Sequence, residues 1–82
     1  MDELLIGEVS HYFNRIGVAA LDLSDSVHVG DKVHFVGYTT DFDQEIGSLQ
    51  IEYQAVDEAI PGQDVAMQVD HRVRKGDKVY KA

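Results

Sequence analysis

Short stretches of alternating apolar and polar residues, separated by glycine-containing turns, dominate the hydrophobic pattern of the chain. In residues 32–37, Val33 and Phe35 fall on one face, while His34 and Val36 fall on the other. A period of two residues is typical of a β-strand with one buried face. This stretch therefore predicts a strand that places Val33 and Phe35 in the core.

Three glycine turns precede strands of this kind. Gly30-Asp31 precedes the stretch just described, Gly76-Asp77 precedes residues 79–81, and Pro61-Gly62 precedes the alternating residues 65–69. Proline at the first central position and glycine at the second are typical of a type II turn. The recurrence indicates a series of short strands joined by tight turns.

The first 23 residues predict a β-hairpin. The apolar residues of 5–13 also fit the spacing of a helix, but Gly7 and the β-branched content favour a strand. Residues 14–17 predict a turn, because asparagine and glycine tolerate positive φ. Residues 18–23 follow as the second strand, with Ala19, Leu21 and Leu23 on one face.

The middle of the chain is less regular. Residues 38–44 are polar and predict a connection that Phe42 anchors. Residues 45–53 predict a strand with a bulge at Gly47-Ser48. Residues 56–61 predict an extended loop that covers one end of the fold.

Six or seven short strands at spacings of about ten residues favour a closed sheet over an open one. We therefore predict an all-β fold, a small six-stranded antiparallel closed β-barrel, with residues 1–82 as a single domain. A chain of 82 residues buries only ~60% of the surface that its unfolded form exposes. A deep catalytic pocket is not expected at this size.

Composition narrows the functional classes. The chain has no cysteine, which excludes disulfides and thiolate metal sites and favours a reducing compartment. The N-terminal residues lack the pattern of a signal peptide or a membrane span, so we expect a soluble cytoplasmic protein without membrane contact. The formal net charge of −8 argues against a broad phosphate-binding surface.

Basic residues are concentrated in the C-terminal segment. Residues 72–82 carry five basic side chains and one acidic side chain, whereas residues 1–71 carry two basic and fourteen acidic ones. This uneven distribution of charge along the chain allows two interpretations. Either a basic strand contacts a partner, or the bases of the last strand pair with acidic neighbours across the sheet.

The residue types of a metal or catalytic site are present, but their spacing does not match one. Four histidines are candidate metal ligands: His11, His28, His34 and His71. Zinc ligands are usually closer in sequence, and the acidic run that begins at Asp41 lacks the glycine of a calcium loop. Ser10-His11 are adjacent residues, which point to opposite faces of a strand. We expect no enzymatic activity, no metal and no cofactor.

The aromatic residues divide into two groups. Phe13 and Phe35 are predicted core residues because they lie within apolar strands. Tyr38, Phe42 and Tyr80 lie beside polar or charged residues, and they predict either loop anchors or a stacking surface for a partner.

Four motifs follow one another over most of the chain. They are Val29-Gly30-Asp31-x-Val33-x-Phe35-x-Gly37, Ser48-Leu49-Gln50-Ile51-Glu52, Val56-x-Glu58-Ala59-x-Pro61-Gly62-x-x-Val65 and Arg74-Lys75-Gly76-Asp77-x-Val79. Their order and spacing resemble domain II of translational GTPases such as elongation factor Tu, and short stand-alone elongation-factor-like proteins in particular. The chain is also similar to the C-terminal barrel of collagenase-like peptidases. Each of these resemblances implies a small β-barrel.

The resemblance predicts the fold of the chain more reliably than its activity. GTP hydrolysis needs the motif G-x-x-x-x-G-K-[ST], and no lysine of the chain lies in it, so we expect no GTP hydrolysis. In tRNA-delivering relatives this domain also receives the aminoacyl end of tRNA. Gln50 and Asp64 stand where those relatives carry glutamate and asparagine, and Glu52-Tyr53 stand where they carry a histidine-arginine pair. Because basic and amide donors are lost there, we do not expect this chain to bind aminoacyl-tRNA.

The resemblance and the basic C-terminal segment together predict a non-catalytic, translation elongation factor-like module that binds RNA or a ribosome-associated partner. The residues expected to make the contact are Arg72, Arg74, Lys75, Lys78 and Tyr80. The alternative is a protein–protein adaptor barrel that has no nucleic-acid contact and works with a separate catalytic protein. The sequence leaves the oligomeric state open.

Overall fold

The computed structural model describes residues 3–81, which form an all-β fold as predicted. The strands are β1 (Leu4–Phe13), β2 (Val18–Leu23), β3 (Val27–His28), β4 (Lys32–Val36), β5 (Asp41–Glu45), β6 (Leu49–Ile51), β7 (Gln54–Val56), β8 (Glu58–Ala59), β9 (Asp64–Gln68) and β10 (Lys78–Lys81). An eight-stranded antiparallel sheet has the order β5-β4-β10-β1-β2-β9-β6-β7, and β3 pairs with β8. Residues 3–81 contain no helix that could span a membrane.

The main sheet curls into a half-barrel, so the prediction of a closed six-stranded barrel is wrong. Within residues 3–81, the edge strands β5 and β7 each pair on one side only. Side chains bridge the gap beside β5. Gln44 Nε2 donates to the Gln68 carbonyl oxygen (3.0 Å), Gln44 Oε1 accepts from the Asp70 amide (2.7 Å), and the Phe42 ring meets His71 edge to face. These contacts join residues that are distant in sequence. The two-residue hydrophobic period therefore could not predict them.

Two segments predicted as connections contain strands. Residues 38–44 include most of β5, which pairs with β4 along its whole length. Residues 56–61 include β8 and the last residue of β7. The polar composition of β5 misled the prediction because this strand lies at an edge, where only Gln44 is buried. An edge strand needs few apolar side chains to hold its place.

The core lies on the inner face of the curled sheet. Val33 and Phe35 are fully buried there, as predicted, and the Phe35 ring stacks on Phe42 with centroids 5.0 Å apart. Phe13 is 43% exposed, so its assignment to the core is wrong. A bulge in β1 between Val9 and His11 shifts the phase of the alternation. Tyr12 therefore packs against the core, and Phe13 points outward.

The three glycine turns share one pattern of hydrogen bonds. The first residue of each turn donates its N–H to the side chain of the fourth, and the N–H of the fourth residue donates to the carbonyl oxygen of the first. The pairs are His28 with Asp31 (2.9 and 3.1 Å), Ile60 with Gln63 (2.9 and 3.3 Å) and Arg74 with Asp77 (2.9 and 3.0 Å). The glycine between them has φ of 98°, 92° and 96°. The turn signal thus includes the carboxylate or amide that follows the glycine.

Candidate functional site

Two of the predicted contact residues already have partners within the chain. Lys78 Nζ lies 2.8 Å from Glu8 Oε1 on the neighbouring strand, and this hydrogen bond raises the pKa of Lys78. Arg74 Nε donates to Thr39 Oγ1 at 3.1 Å. The pairing of Lys78 agrees with the second interpretation of the C-terminal charges, in which bases pair with acidic neighbours across the sheet.

The other predicted contact residues differ in exposure. Arg72 and Lys75 are exposed in the segment between β9 and β10, and Tyr80 is half-buried on β10, where it lies opposite Leu5 and His34. A role for these residues in binding a partner stays a prediction.

A different surface forms a groove that the sequence did not reveal. It lies on the outer face of β2, β9 and β6, beside the turns at residues 14–17 and 52–53, and its volume is about 430 Å³. The residues that line it are Phe13, Ile16, Val18, Ala20, Gln50, Glu52, Tyr53, Asp64, Val65 and Ala66. We call it the outer groove.

Small side chains form the floor of the outer groove. Ala20 on β2 lies opposite Ala66 on β9, and both line the groove. The Gln50 side chain on β6 lies beside Ala66. Because alanine extends only one carbon from the backbone, the Ala20–Ala66 pair is lower than the side chains around it.

Large apolar side chains surround this floor. Phe13 is 43% exposed, Ile16 is 66% exposed and Tyr53 is 98% exposed. Isolated exposed apolar residues are normal, but a contiguous group around a depression is typical of an interaction site. The outer groove therefore has the composition of a surface that another molecule covers.

One end of the outer groove is acidic. Asp22 lies opposite Asp64 on one side and opposite Glu8 on the other. Like charges directly across a strand pair destabilise a sheet. Among residues 3–81, Asp22, Glu52 and Asp64 form no ion pair, whereas Lys78 compensates Glu8. The acidic end thus has a surplus of negative charge.

The turn at the rim of the outer groove holds two residues in an uncommon conformation. Glu52 and Tyr53 have φ of 51° and 66°, and they join Ile51 to Gln54 as a two-residue hairpin loop. Such loops prefer asparagine and glycine, and other residues cost about 1 kcal/mol each in the left-handed region. The turn keeps the Tyr53 ring almost fully exposed at the groove. Strain of this kind is often associated with function.

The sequence predicts no binding role for the outer groove. Gln50, Glu52, Tyr53 and Asp64, which stand at the positions of the tRNA pocket in translation factors, all line it. The apolar rim was missed because the phase shift in β1 turns Phe13 outward. The one available signal was an isoleucine, Ile16, within a turn.

His34 lies in a separate cluster of carboxylates on the outer face of β4. Its Nε2 is 2.6 Å from Asp41 Oδ1 and 3.7 Å from Asp43 Oδ1, and its Nδ1 is 3.0 Å from Glu3 Oε1. Hydrogen bonds to Asp41 and then to Glu3 raise the pKa of His34 from 6.5 to about 9. Within residues 3–81, no group of histidines and carboxylates has the arrangement of a metal site.

The His34 cluster predicts a pH-dependent contribution to stability. A pKa that is higher in the folded state stabilises the fold fully below pH 6.5, and this contribution is lost as the pH rises through about 9. His34→Gln should therefore cost about 1 kcal/mol near neutral pH, a small amount because exposed carboxylates are screened, and nothing above the folded pKa. Urea denaturation across this range measures the difference. A loss that does not change with pH would contradict the prediction, and Asp41→Asn should reduce the pH dependence.

Comparison with curated proteins finds relatives along nearly all of the chain. An uncharacterized protease of Methanocaldococcus jannaschii is 34% identical over 76 residues, which are 92% of this chain and 19% of the relative. Two collagenases of Porphyromonas gingivalis are 33% identical over 81 residues (96% of this chain, 20% of the relative) and 35% identical over 78 residues (93% and 22%). The chain thus spans about a fifth of the length of these relatives. No family model matches the sequence.

Two solved structures resemble this chain along nearly its whole length. Two crystal structures show the C-terminal domain of a Geobacillus thermoleovorans protein assigned to the U32 peptidases. Both match this chain with a TM-score of 0.89 at 26% identity, and they cover 94% and 96% of this chain and 98% and 92% of the domain. The homologues of this chain are U32 peptidase and collagenase C-terminal domains.

These relatives correct the functional prediction. The similarity to the barrel of collagenase-like peptidases is confirmed, whereas the translation-factor and RNA-binding assignments are wrong, because the homologues are peptidase domains. The motifs behind the resemblance to elongation factors are mostly glycine turns and the strands that follow them. Such motifs determine backbone geometry, which unrelated functions share.

Proposed function

We propose that this chain is a non-catalytic accessory module that binds protein and works with the catalytic part of a collagenase-type U32 peptidase. The proposal rests on the fraction of each sequence that aligns. More than nine-tenths of this chain aligns with about a fifth of each protease, and the matching crystal structures are of a C-terminal domain. The alignments cover 19–22% of those proteases.

The environment of the serines and histidines supports a non-catalytic role. Ser10 Oγ donates to the Ala20 carbonyl oxygen (3.1 Å) and Ser24 Oγ to the Leu5 carbonyl oxygen (3.4 Å), so both hydroxyl groups are used by the backbone. His34 is held by carboxylates and has no serine beside it among its hydrogen-bond partners. A serine nucleophile needs a base within hydrogen-bond reach.

The outer groove supports protein binding. Aromatic side chains that lie near the centre of a contact surface often contribute most of its binding energy. Tyr53 and Phe13 lie at the rim of the outer groove, where a partner that covers the alanine floor would contact both rings. The groove is open to the solvent side of the sheet, so a partner reaches it without any change in the core.

Affinity capture tests the proposal. The chain is used as bait in extracts of its own cells, and the captured proteins are identified by mass spectrometry. We expect a collagenase-type peptidase, whose affinity for the chain is then measured by calorimetry. Tyr53→Ala should weaken this binding at least tenfold, as loss of a large aromatic contact does. The chain alone should not hydrolyse gelatin.

Tyr38→Ala is the matched control. Tyr38 is as exposed as Tyr53 (103% against 98%), but it lies outside the lining of the outer groove. Its replacement should leave the affinity unchanged. Failure to capture any peptidase, or hydrolysis by the chain alone, would refute the proposal. If Tyr53→Ala and Tyr38→Ala changed the affinity equally, the contact with the peptidase would lie elsewhere on the surface.

A further inference from the structure

The side chains of the outer groove change from apolar to acidic along the direction of β2. At one end, Phe13 lies opposite Val18, and Ile16 extends from the adjoining turn. Alanines follow two residues further along β2, where Ala20 lies opposite Ala66. Two residues beyond them lie Asp22 and Asp64, opposite each other. The groove therefore runs from an apolar end across a small-residue floor to an acidic end.

The spacing of these zones fits an extended polypeptide. Successive residues of a strand advance by about 3.4 Å, so residues two apart on one face are separated by ~7 Å. An extended segment that lies along β2 and β9 has the same repeat in its own side chains. One side chain above the alanine floor then has its neighbour, two residues away, above the acidic end.

The acidic end has the groups that recognise a cation. Glu52 directly follows β6 and lies beside Asp64, since Ile51 pairs with Val65 and the two strands run antiparallel. Tyr53 follows Glu52 with its ring exposed. Carboxylates beside an aromatic face hold a guanidinium or an ammonium group by ion pairing and by attraction to the ring. A bound cation would also relieve the repulsion between Asp22 and Asp64.

We infer that the outer groove binds an extended segment of a partner protein in which an arginine or lysine side chain lies two residues from an apolar side chain. The apolar side chain rests on the alanine floor between Phe13 and Tyr53, and the cation lies between Glu52 and Asp64. This inference rests on the proposed protein-binding function and specifies its ligand. The net charge of −8 also favours a cationic segment.

Binding of synthetic peptides to the full chain tests the inference. The probe is a short, fluorescently labelled peptide of serine and glycine that carries leucine and, two positions later, arginine. Fluorescence anisotropy should show binding with a Kd of roughly 10–100 μM, as for a small contact. Replacing the arginine of the peptide with citrulline, which has the same shape but no charge, should weaken binding about tenfold. Added salt should weaken binding of the arginine peptide more than that of the citrulline peptide.

Variants of the chain locate the site. The double substitution Glu52→Gln and Asp64→Asn should weaken binding of the arginine peptide about tenfold and leave binding of the citrulline peptide unchanged. The control is the double substitution Glu45→Gln and Asp57→Asn, which changes the net charge equally at exposed positions outside the groove. It should have little effect. Equal weakening by both doubles would indicate a general charge effect and would overturn the inference.

The result can be separated from that of the proposed function. Suppose that the chain binds a peptidase but does not bind the arginine peptide, or that the Glu52 and Asp64 substitutions do not weaken peptide binding. The inference then fails, and the accessory role stands. If the peptide binds as expected but no peptidase is captured, the proposed partner is wrong and the chemistry of the groove stands. Equal binding of the arginine and citrulline peptides refutes recognition of a cation.

Discussion

Replacing Phe35 with alanine is expected to lower the free energy of unfolding by about 3–5 kcal/mol. The Phe35 side chain is fully buried, and its ring stacks on Phe42 at a centroid distance of 5.0 Å. Its removal loses apolar burial and leaves a cavity that the surrounding strands cannot close. Since small domains are stable by only about 5–15 kcal/mol, the variant should be partly unfolded at room temperature. Urea denaturation followed by circular dichroism measures the loss.

Phe13→Ala is the matched control for this prediction. The substitution is chemically identical, but Phe13 is 43% exposed at the rim of the outer groove. We expect a loss of about 1 kcal/mol or less, because part of the ring is already in water. Similar losses for the two variants would mean that the phase shift in β1 does not turn Phe13 outward. The stable Phe13→Ala protein would also be suitable for binding measurements.

Replacing Gly37 with alanine is expected to cost about 3 kcal/mol, since a Cβ at this position would overlap the carboxylate of Asp77. Asp77 has little freedom to move. It is 5% exposed, its Oδ2 accepts the Arg74 N–H at 2.9 Å, and its carbonyl oxygen accepts the Val9 N–H at 2.8 Å. Displacing the carboxylate would leave a donor of the turn before β10 unpaired. Thermal and urea denaturation both report the change.

Gly47→Ala provides the comparison. A Cβ at Gly47 meets no atom within 4 Å, and its φ is not positive, so the change should stay within about 0.5 kcal/mol of zero. A second variant identifies the cause of the loss at Gly37. If overlap with Asp77 is responsible, Gly37→Ala combined with Asp77→Ala should cost less than the sum of the two single changes. A strictly additive result would show that the overlap is not the reason.

The core residues and the outer groove are on opposite sides of the same sheet. Phe35 and the other core residues face inward, whereas Ala20, Ala66 and Asp64 face outward from the alternate positions of β2 and β9. Substitutions in the groove should therefore change binding without large changes in stability. This separation makes the binding experiments interpretable, because a weak-binding variant can be shown to be folded.

Much of the fold was predictable from the sequence. The alternation of Val65, Met67 and Val69 predicted buried positions that the structure confirms, and so did that of Val33 and Phe35. The three glycine turns were located correctly, because positive φ is accessible to glycine at little cost and the following acid or amide closes the turn locally. These are interactions between residues close in sequence, and the local pattern therefore contains them.

The functional assignment from motifs was less successful for the same reason. Turns and strand alternation describe how the backbone folds, and domains of different function have them in common. The residues that distinguish this surface are Ile16, Tyr53 and the alanines of β2 and β9. None of them forms a recognisable motif, since they come together only through strand pairing.

The sequence by itself determined the all-β class, the positions of the glycine turns and the inward face of most strands, because each depends on neighbours within a few residues. Only the tertiary structure decided that the sheet remains a half-barrel, that Gln44 bridges its gap to residues 68–70, and that Phe13 points outward. It also decided that Glu52, Tyr53 and Asp64 lie around a floor of alanines. Register, bulges and contacts between distant strands determine these features, and a period of two residues is the same in every register.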